Sequence, residues 1–181
     1  MNSMSKKALL SLFIIVCTTF LQSSCGSYTF NGANINYEQT KTISIGNFYN
    51  DTPNGPANLS QTFTEKLRDY FQQNTNLVLV PYDGDLQLEG KIVGYNTTDV
   101  APARSTNTGL SDLSNVTRLT IVVQAVYINT KSSEYDFDKN FSFFETFNNT
   151  SSTLNDVEDE LIETISDQII LDIFNASVAN W

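Results

Sequence analysis

The spacing of hydrophobic positions changes period several times along the chain. Over residues 41–48, Ile43, Ile45 and Phe48 alternate with Thr42 and Ser44, which predicts a half-buried strand. Residues 49–58 are dense in Pro, Gly, Asn and Asp and read as a loop. Residues 59–74 carry Leu59, Phe63, Leu67, Tyr70 and Phe71 on one helical stripe. Asn58 or Ser60 can cap this helix, and Thr62 with Glu65 has capping-box spacing for a later start. Residues 76–81 form a short apolar strand closed by Pro81. The Asp83-Gly84 pair then predicts a turn into a strand over 83–98, where Leu86, Leu88 and Ile92 alternate with Gln87, Glu89 and Lys91. Gly90 and Gly94 mark bulges or bends within it.

Residues 100–114 are rich in Ala, Ser, Thr, Asn and Gly and read as a long loop. Residues 116–130 give the strongest strand pattern. Leu119, Ile121, Val123, Ala125 and Tyr127 share one face, and Val122, Val126 and Ile128 lie on the other, as in a central strand. Residues 135–147 alternate again, with Tyr135, Phe137, Lys139, Phe141 and Phe143 against Asp136, Asp138, Asn140 and Ser142, as in an outer strand with an aromatic face. A long helix over 153–181 starts with a Ser/Thr cap and with Asp156, Glu158, Asp159 and Glu160, which suit a positive helix N-terminus. Leu154, Val157, Leu161, Ile165, Ile169 and Ile173 form its core stripe, broadened by Ile162, Leu171 and Phe174. The order β-α-β-β-β-β-α predicts an α+β fold: a four- to five-stranded, mostly antiparallel or mixed sheet with two helices packed on one face.

The N-terminus changes the picture. Lys6 and Lys7 precede an uncharged apolar run over 8–21. At 1.5 Å per residue that run spans about 21 Å, short of the ~30 Å hydrocarbon core. It reads as a signal peptide. Cys17 lies inside it and leaves with it, whereas Cys25 follows the small residues Ser23 and Ser24 and looks like the acylated cysteine of a bacterial lipobox. The usual leucine three places before the cysteine is replaced by Gln22, with Leu21 one place further out. The expected organisation is a signal peptide at 1–24, a lipidated Cys25 with a short tether over 25–40, and one α+β domain over 41–181. Gly26 after the cysteine, and the absence of an acidic cluster in GSYTF, point by resemblance to the periplasmic side of the outer membrane.

Cleavage before Cys25 leaves 157 residues with eight Lys/Arg against twenty Asp/Glu, a formal charge of −12. That balance disfavours nucleic acid, whose binding rests on basic residues at phosphates. It equally disfavours a polybasic dock on anionic lipid, so the membrane link falls to the anchor. The chain has no histidine, which removes the common Ser-His and Cys-His nucleophile pairs and His-based zinc sites. No cofactor, metal or enzymatic activity is expected. The pairs Asp83/Asp85 and Asp136/Asp138 are of a type that binds calcium or cleaves glycosides, but they read more simply as a hairpin turn and a solvated strand face. The acidic run from Asp156 to Glu163 reads as a solvated helix face. Phe143 and Phe144 are adjacent and lie on opposite faces of a strand, so one of them is exposed or meets a partner.

The lipobox, KTISIGNF, LSQTFTEKLRDYF, DGDLQLEGKIVGY, RLTIVVQAVYINT, EYDFDKNFSFF and DVEDELIETISDQIILDIFNASVANW occur in an order that resembles the LptE family of Bacteroidota, the lipopolysaccharide-assembly lipoproteins. The resemblance covers essentially the whole mature chain. It implies a non-enzymatic outer-membrane subunit that plugs an LptD-type β-barrel, helps it assemble and assists lipopolysaccharide delivery. It also implies that basic residues meet the anionic lipid. Of the few present, Arg104 and Arg118 are the ones that a local cluster would need. The alternative is a periplasm-facing lipoprotein that regulates a cell-wall synthase. The tether of about 15 residues spans at most about 50 Å, which favours a partner close to the membrane.

Overall fold

The computed structural model describes residues 37–100 and 116–179, all within the compact unit Gly32–Trp181. Six strands form one mixed sheet: β1 Thr42–Ile45, β2 Tyr49–Asn50, β3 Val78–Val80, β4 Leu86–Val100, β5 Val116–Asn129 and β6 Phe137–Asn148. The helices are α1 Leu59–Asn74 and α2 Leu154–Phe174. The strand order is β3-β1-β4-β5-β6, with β2 also beside β4. β1 runs parallel to both β3 and β4, while β4, β5 and β6 form an antiparallel meander. The α+β class and the two helices follow the hydropathy pattern. The extra strand is the two-residue β2, inside the stretch that composition marked as loop.

Alternation decides which face is buried. Ile43 and Ile45 of β1, Leu86, Leu88, Ile92 and Tyr95 of β4, and Leu119, Ile121, Val123, Ala125 and Tyr127 of β5 are all buried. Against them pack Leu59, Phe63, Leu67 and Phe71 of α1, and Leu161, Ile162, Ile165, Ile169, Ile170 and Ile173 of α2. Each buried Leu, Ile, Val or Phe side chain among them contributes about 1.5–3 kcal/mol on leaving water. The β-bulge falls between Ile92 and Gly94, at one of the two glycines singled out above. The extra residue lets Ile92 and Tyr95, three positions apart, face the same core. The other glycine admits a neighbour: a Cβ on Gly90 would lie 2.4 Å from the buried Phe48 ring and 2.2 Å from the Gln124 carbonyl oxygen.

The helix ends depart from the simplest cap reading. Asn58 occupies the N-cap of α1 without a side-chain hydrogen bond. Ser60 Oγ instead donates to the Phe48 carbonyl, and Thr64 Oγ1 accepts from the Phe48 N–H, so this helix start is pinned to the segment after β1. Thr153 precedes α2 as expected, and its N–H and Oγ1 both donate to Asp156. α2 ends at Phe174, and a π-helical turn Asn175–Ala179 follows, so the single helix read over 153–181 is in fact two segments. The outer strand starts at Phe137. Tyr135 lies in a 3-10 turn, Ser133–Tyr135, and Asp136 accepts from the Asn129 N–H before the strand begins.

The Asp83-Gly84-Asp85 stretch is not a hairpin turn. β3 and β4 lie on either side of β1 and run the same way, so residues 81–85 form a strap that crosses over β1 on its Thr42/Ser44 side. Gly84 N–H donates to Ser44 Oγ, and Asp85 N–H donates to Thr42 Oγ1. The crossing is so close that a Cβ on Gly84 would lie 2.5 Å from Ser44 N and 2.7 Å from the Leu86 carbonyl oxygen. Asp83, with φ 50, supplies the left-handed turn into it. The Asp85 carboxylate then gathers three segments. It accepts from the Lys41 and Thr42 N–H groups and from Thr42 Oγ1, and it pairs with Lys131 Nζ at 2.9 Å. The Lys131 ammonium, followed by the Lys41 N–H, holds this carboxyl well below the usual carboxylate range.

Two predictions follow from the strap. Gly84→Ala forces the backbone of β1 and the strap apart and lowers unfolding stability by about 1–3 kcal/mol, read as a lower urea midpoint. Asp85→Asn lowers stability at neutral pH. Because the folded-state pKa is depressed, the carboxylate's contribution is full above the unfolded value of about 3.9 and is lost as pH falls through the folded one. Thermal midpoints of the two proteins therefore separate at pH 6–7 and converge under strong acid, and a gap independent of pH contradicts this role for Asp85.

Candidate functional site

Both helices lie on one face of the sheet, and on the other the strap over β1 is the cover that the described residues supply. The positions on this helix-free face follow from the register. One row is Asn96, Thr120 and Phe144, the next Thr98, Arg118 and Thr146, and the last Val100, Val116 and Asn148. In the other direction come Lys91, Gln124 and Asn140, then Glu89, Val126 and Asp138, then Ser44, Gln87 and Ile128. β5 is central in strand order, as its pattern predicts, but its second apolar set, Val122, Val126 and Ile128, is only partly covered. The half of this face toward Val100 is mostly hydroxyl and amide.

The face has one basic feature in that half. The Arg118 guanidinium stacks 3.9 Å above the centroid of the Phe144 ring, a cation–π contact across adjacent strands. Arg118 Nε is buried there and has no hydrogen-bond partner among the described residues. Phe144 is 45% exposed. This resolves the adjacent phenylalanines: Phe143 packs partly against the core, and Phe144 points outward and meets Arg118. A buried guanidinium nitrogen without an acceptor is costly, and Arg carries a planar fork suited to carboxylate or phosphate. Arg118 was singled out from the sequence for its charge alone. Phe144 was flagged only as half of a pair that could not both be buried. Arg104 and Cys25 lie outside the described residues.

The other candidates are absorbed by structure. Asp138 accepts from Gln124 Nε2, and Asp136 caps the turn before β6. Asp85 is held by the strap contacts, and among the described residues no group of three or more His, Cys, Asp or Glu is placed to hold a metal ion. On the acidic face of α2, Glu158 accepts from the Tyr95 hydroxyl, while Glu163 and Asp167 pair with Lys66 of α1. Burial, then the Glu158 carboxylate, raises the Tyr95 pKa beyond its ordinary value. Burial, followed by the nearby Asp136 charge, does the same to Tyr127. Of the aromatic residues of β6, Phe141 is buried. Phe143 borders an open groove of about 660 Å³ with Tyr70, Thr164, Gln168 and Leu171.

Among the described residues, no helix is long and apolar enough to cross a membrane. Compared by sequence with curated proteins, the chain matches none. Solved structures share its fold at low identity. Protein XCC0632 from Xanthomonas campestris is 9% identical with a TM-score of 0.51, over 74% of this chain and 81% of that one. The hypothetical protein CT253 from Chlamydia trachomatis is 10% identical with a TM-score of 0.50, over 76% and 97%. The rare lipoprotein B from Shewanella oneidensis is 10% identical with a TM-score of 0.48, over 75% and 90%. The family model described as LptE, lipopolysaccharide-assembly, matches residues 40–177, which takes in every strand, both helices and the uncovered face. The chain therefore belongs to the LptE lipopolysaccharide-assembly family.

Proposed function

We propose that this protein is a non-enzymatic outer-membrane lipoprotein that seats in an LptD-type β-barrel of the lipopolysaccharide-assembly machinery. Cys25, acylated after removal of residues 1–24, anchors it on the periplasmic side. The observation that carries the partner is the helix-free sheet face. Its half toward Val100 is rich in hydroxyls and amides, and among the described residues its one basic side chain is Arg118, whose Nε is buried without an acceptor. Barrel interiors are polar, so such a face matches a lumen wall better than it matches lipid. Family membership supports the pathway, and the short stretch between Cys25 and the domain supports a partner close to the membrane.

In this reading, Arg118 meets an acceptor supplied from outside the chain: a carbonyl or carboxylate of the barrel wall, or a phosphate of passing lipopolysaccharide. Arg104 belongs to the same contact. Phe144 holds the guanidinium plane in place and keeps water from its inner edge.

The test is a C-terminal tag and mild-detergent extraction of outer membranes. A stoichiometric LptD-type barrel, together with an acylated N-terminal Cys25 by mass, is the expected result. Recovery of a cell-wall synthase, or of no barrel while other barrel complexes stay intact, overturns the reading. Arg118→Glu weakens barrel or lipopolysaccharide binding by about 30-fold or more, the lower end of what losing a desolvated charge contact costs. Its far-ultraviolet circular dichroism stays unchanged. Equal binding by wild type and Arg118→Glu removes Arg118 from the interface.

A further inference from the structure

The two edges of the sheet differ. On one side β3 is three residues long, and the chain leaves it at once for the strap. On the other, β6 runs for 12 residues and pairs, among the described strands, with β5 alone. Which of its backbone groups are free follows from the ladder. Thr130 N–H donates to the Asp85 carbonyl, so even-numbered residues of β5 turn their backbone groups toward β4 and odd-numbered ones toward β6. Through the β5–β6 register, β5 takes up the odd-numbered residues of β6. The N–H and C=O groups of the even-numbered residues from Asp138 to Thr146 point outward, without a partner among the described residues. Asn148, of the same parity, turns its carbonyl to the Ser151 and Ser152 N–H groups. A long edge of this kind is a template for a further strand.

The side chains select that strand. Phe137, Lys139, Phe141, Phe143, Glu145 and Phe147 share the helix side of β6. Read from either end, this row runs aromatic, charged, aromatic, and the two charges are opposite. Lys139 Nζ lies 4.9 Å from the centroids of the Phe137 and Phe141 rings. Neither Lys139 nor Glu145 has an ion-pair partner among the described residues. Lys139 is exposed, and Phe143 and Glu145 border the open groove beside Thr164, Gln168 and Leu171 of α2. The helix-side flank of this edge is therefore open.

A second copy laid antiparallel, Ser142 opposite Ser142, sets Lys139 against Glu145 on both sides of the centre. It also sets Phe141 against Phe143 and Phe137 against Phe147. Even-numbered residues then meet even-numbered ones, as the outward backbone groups require. The odd-numbered pairs become the close, non-hydrogen-bonded ones, with Cα atoms about 4.5 Å apart. On the helix-free side Asp138 meets Thr146 and Asn140 meets Phe144, so no like charges oppose each other. Slipping the register one step either way sets Lys139 against Phe143 or Phe147 and loses the charge match.

We infer that β6 pairs with β6 of a second copy of this chain in this register, joining two sheets edge to edge about a two-fold axis at Ser142. The pairing belongs to the protein without its barrel and does not rest on the barrel reading. It runs in the plane of the sheet, so the helix-free face with Arg118 stays open in both copies.

The test is sedimentation equilibrium of the chain from residue 25 onward, with Cys25→Ser, across the micromolar range and with no barrel present. This chain contains the whole compact unit Gly32–Trp181. A monomer–dimer equilibrium is expected. Lys139→Glu or Glu145→Lys alone opposes like charges at both matched positions and weakens the dimer at least about ten-fold. The double variant Lys139→Glu/Glu145→Lys restores association to within about three-fold of wild type. Ser142→Pro removes the N–H at the axis, on an edge where proline is tolerated. It abolishes the dimer while cooperative thermal unfolding persists. A chain that stays monomeric throughout overturns the self-pairing and leaves the edge to a strand of another protein. A dimer indifferent to these changes overturns the edge contact, and a double variant no better than the singles overturns the register. With no barrel present, each of these failures is distinct from a failure of the barrel reading.

Discussion

Two helices carry enough apolar surface to cover one side of a six-stranded sheet, and this shortage of cover governs the rest of the molecule. The stripe of α1 and the wider stripe of α2 bury Leu88, Ile92, Leu119, Ile121, Val123 and their neighbours on one face. For the other, the described residues supply only the strap over β1. Each strand therefore solves two problems at alternate positions. One set meets a dry core, and the other meets water, lipid or a partner. Where β4 must bring Ile92 and Tyr95 to the same core, a bulge resets the phase. Where a ring must lie flat on the strand, glycine at position 90 makes room.

The helix-free face mixes polar and apolar positions along its length. Along β5 its side chains run Val116, Arg118, Thr120, Val122, Gln124, Val126 and Ile128. The neighbouring strands place Thr98 and Thr146 beside Arg118, and Gln87, Glu89 and Asp138 beside Ile128 and Val126. The family relationship places the chain in lipopolysaccharide assembly.

Much of this was legible before any coordinates. Period-two and period-3.6 patterns located the long strands and both helices, because the core selects strongly for alternation. Gly94 marked the bulge, and the Phe143/Phe144 pair announced an outward ring. What escaped was long-range. Asp-Gly-Asp has the local signature of a hairpin turn, and only the placement of β1 between β3 and β4 turns it into a strap. β2 is two residues long and owes its existence to β4. The Arg118–Phe144 stack joins residues twenty-six apart in sequence, and no local pattern encodes that pairing. Apolar residues on both faces of β5 marked an interior strand, but not how far its second face is covered, because apolar side chains look alike whether they await a core or a partner.

The parallel pairing of β1 with two neighbours has a mechanical consequence. A pull on the chain before β1 would reach that strand at Thr42, hydrogen-bonded along both edges and pinned at its start by Asp85. Tension along that strand loads its hydrogen bonds together, in shear, and does not peel them one at a time. The load then spreads into β4 and, through Lys131, into the turn after β5. A load applied at the N-terminal end of the domain thus grips it at the interior of its sheet, where it resists being unravelled.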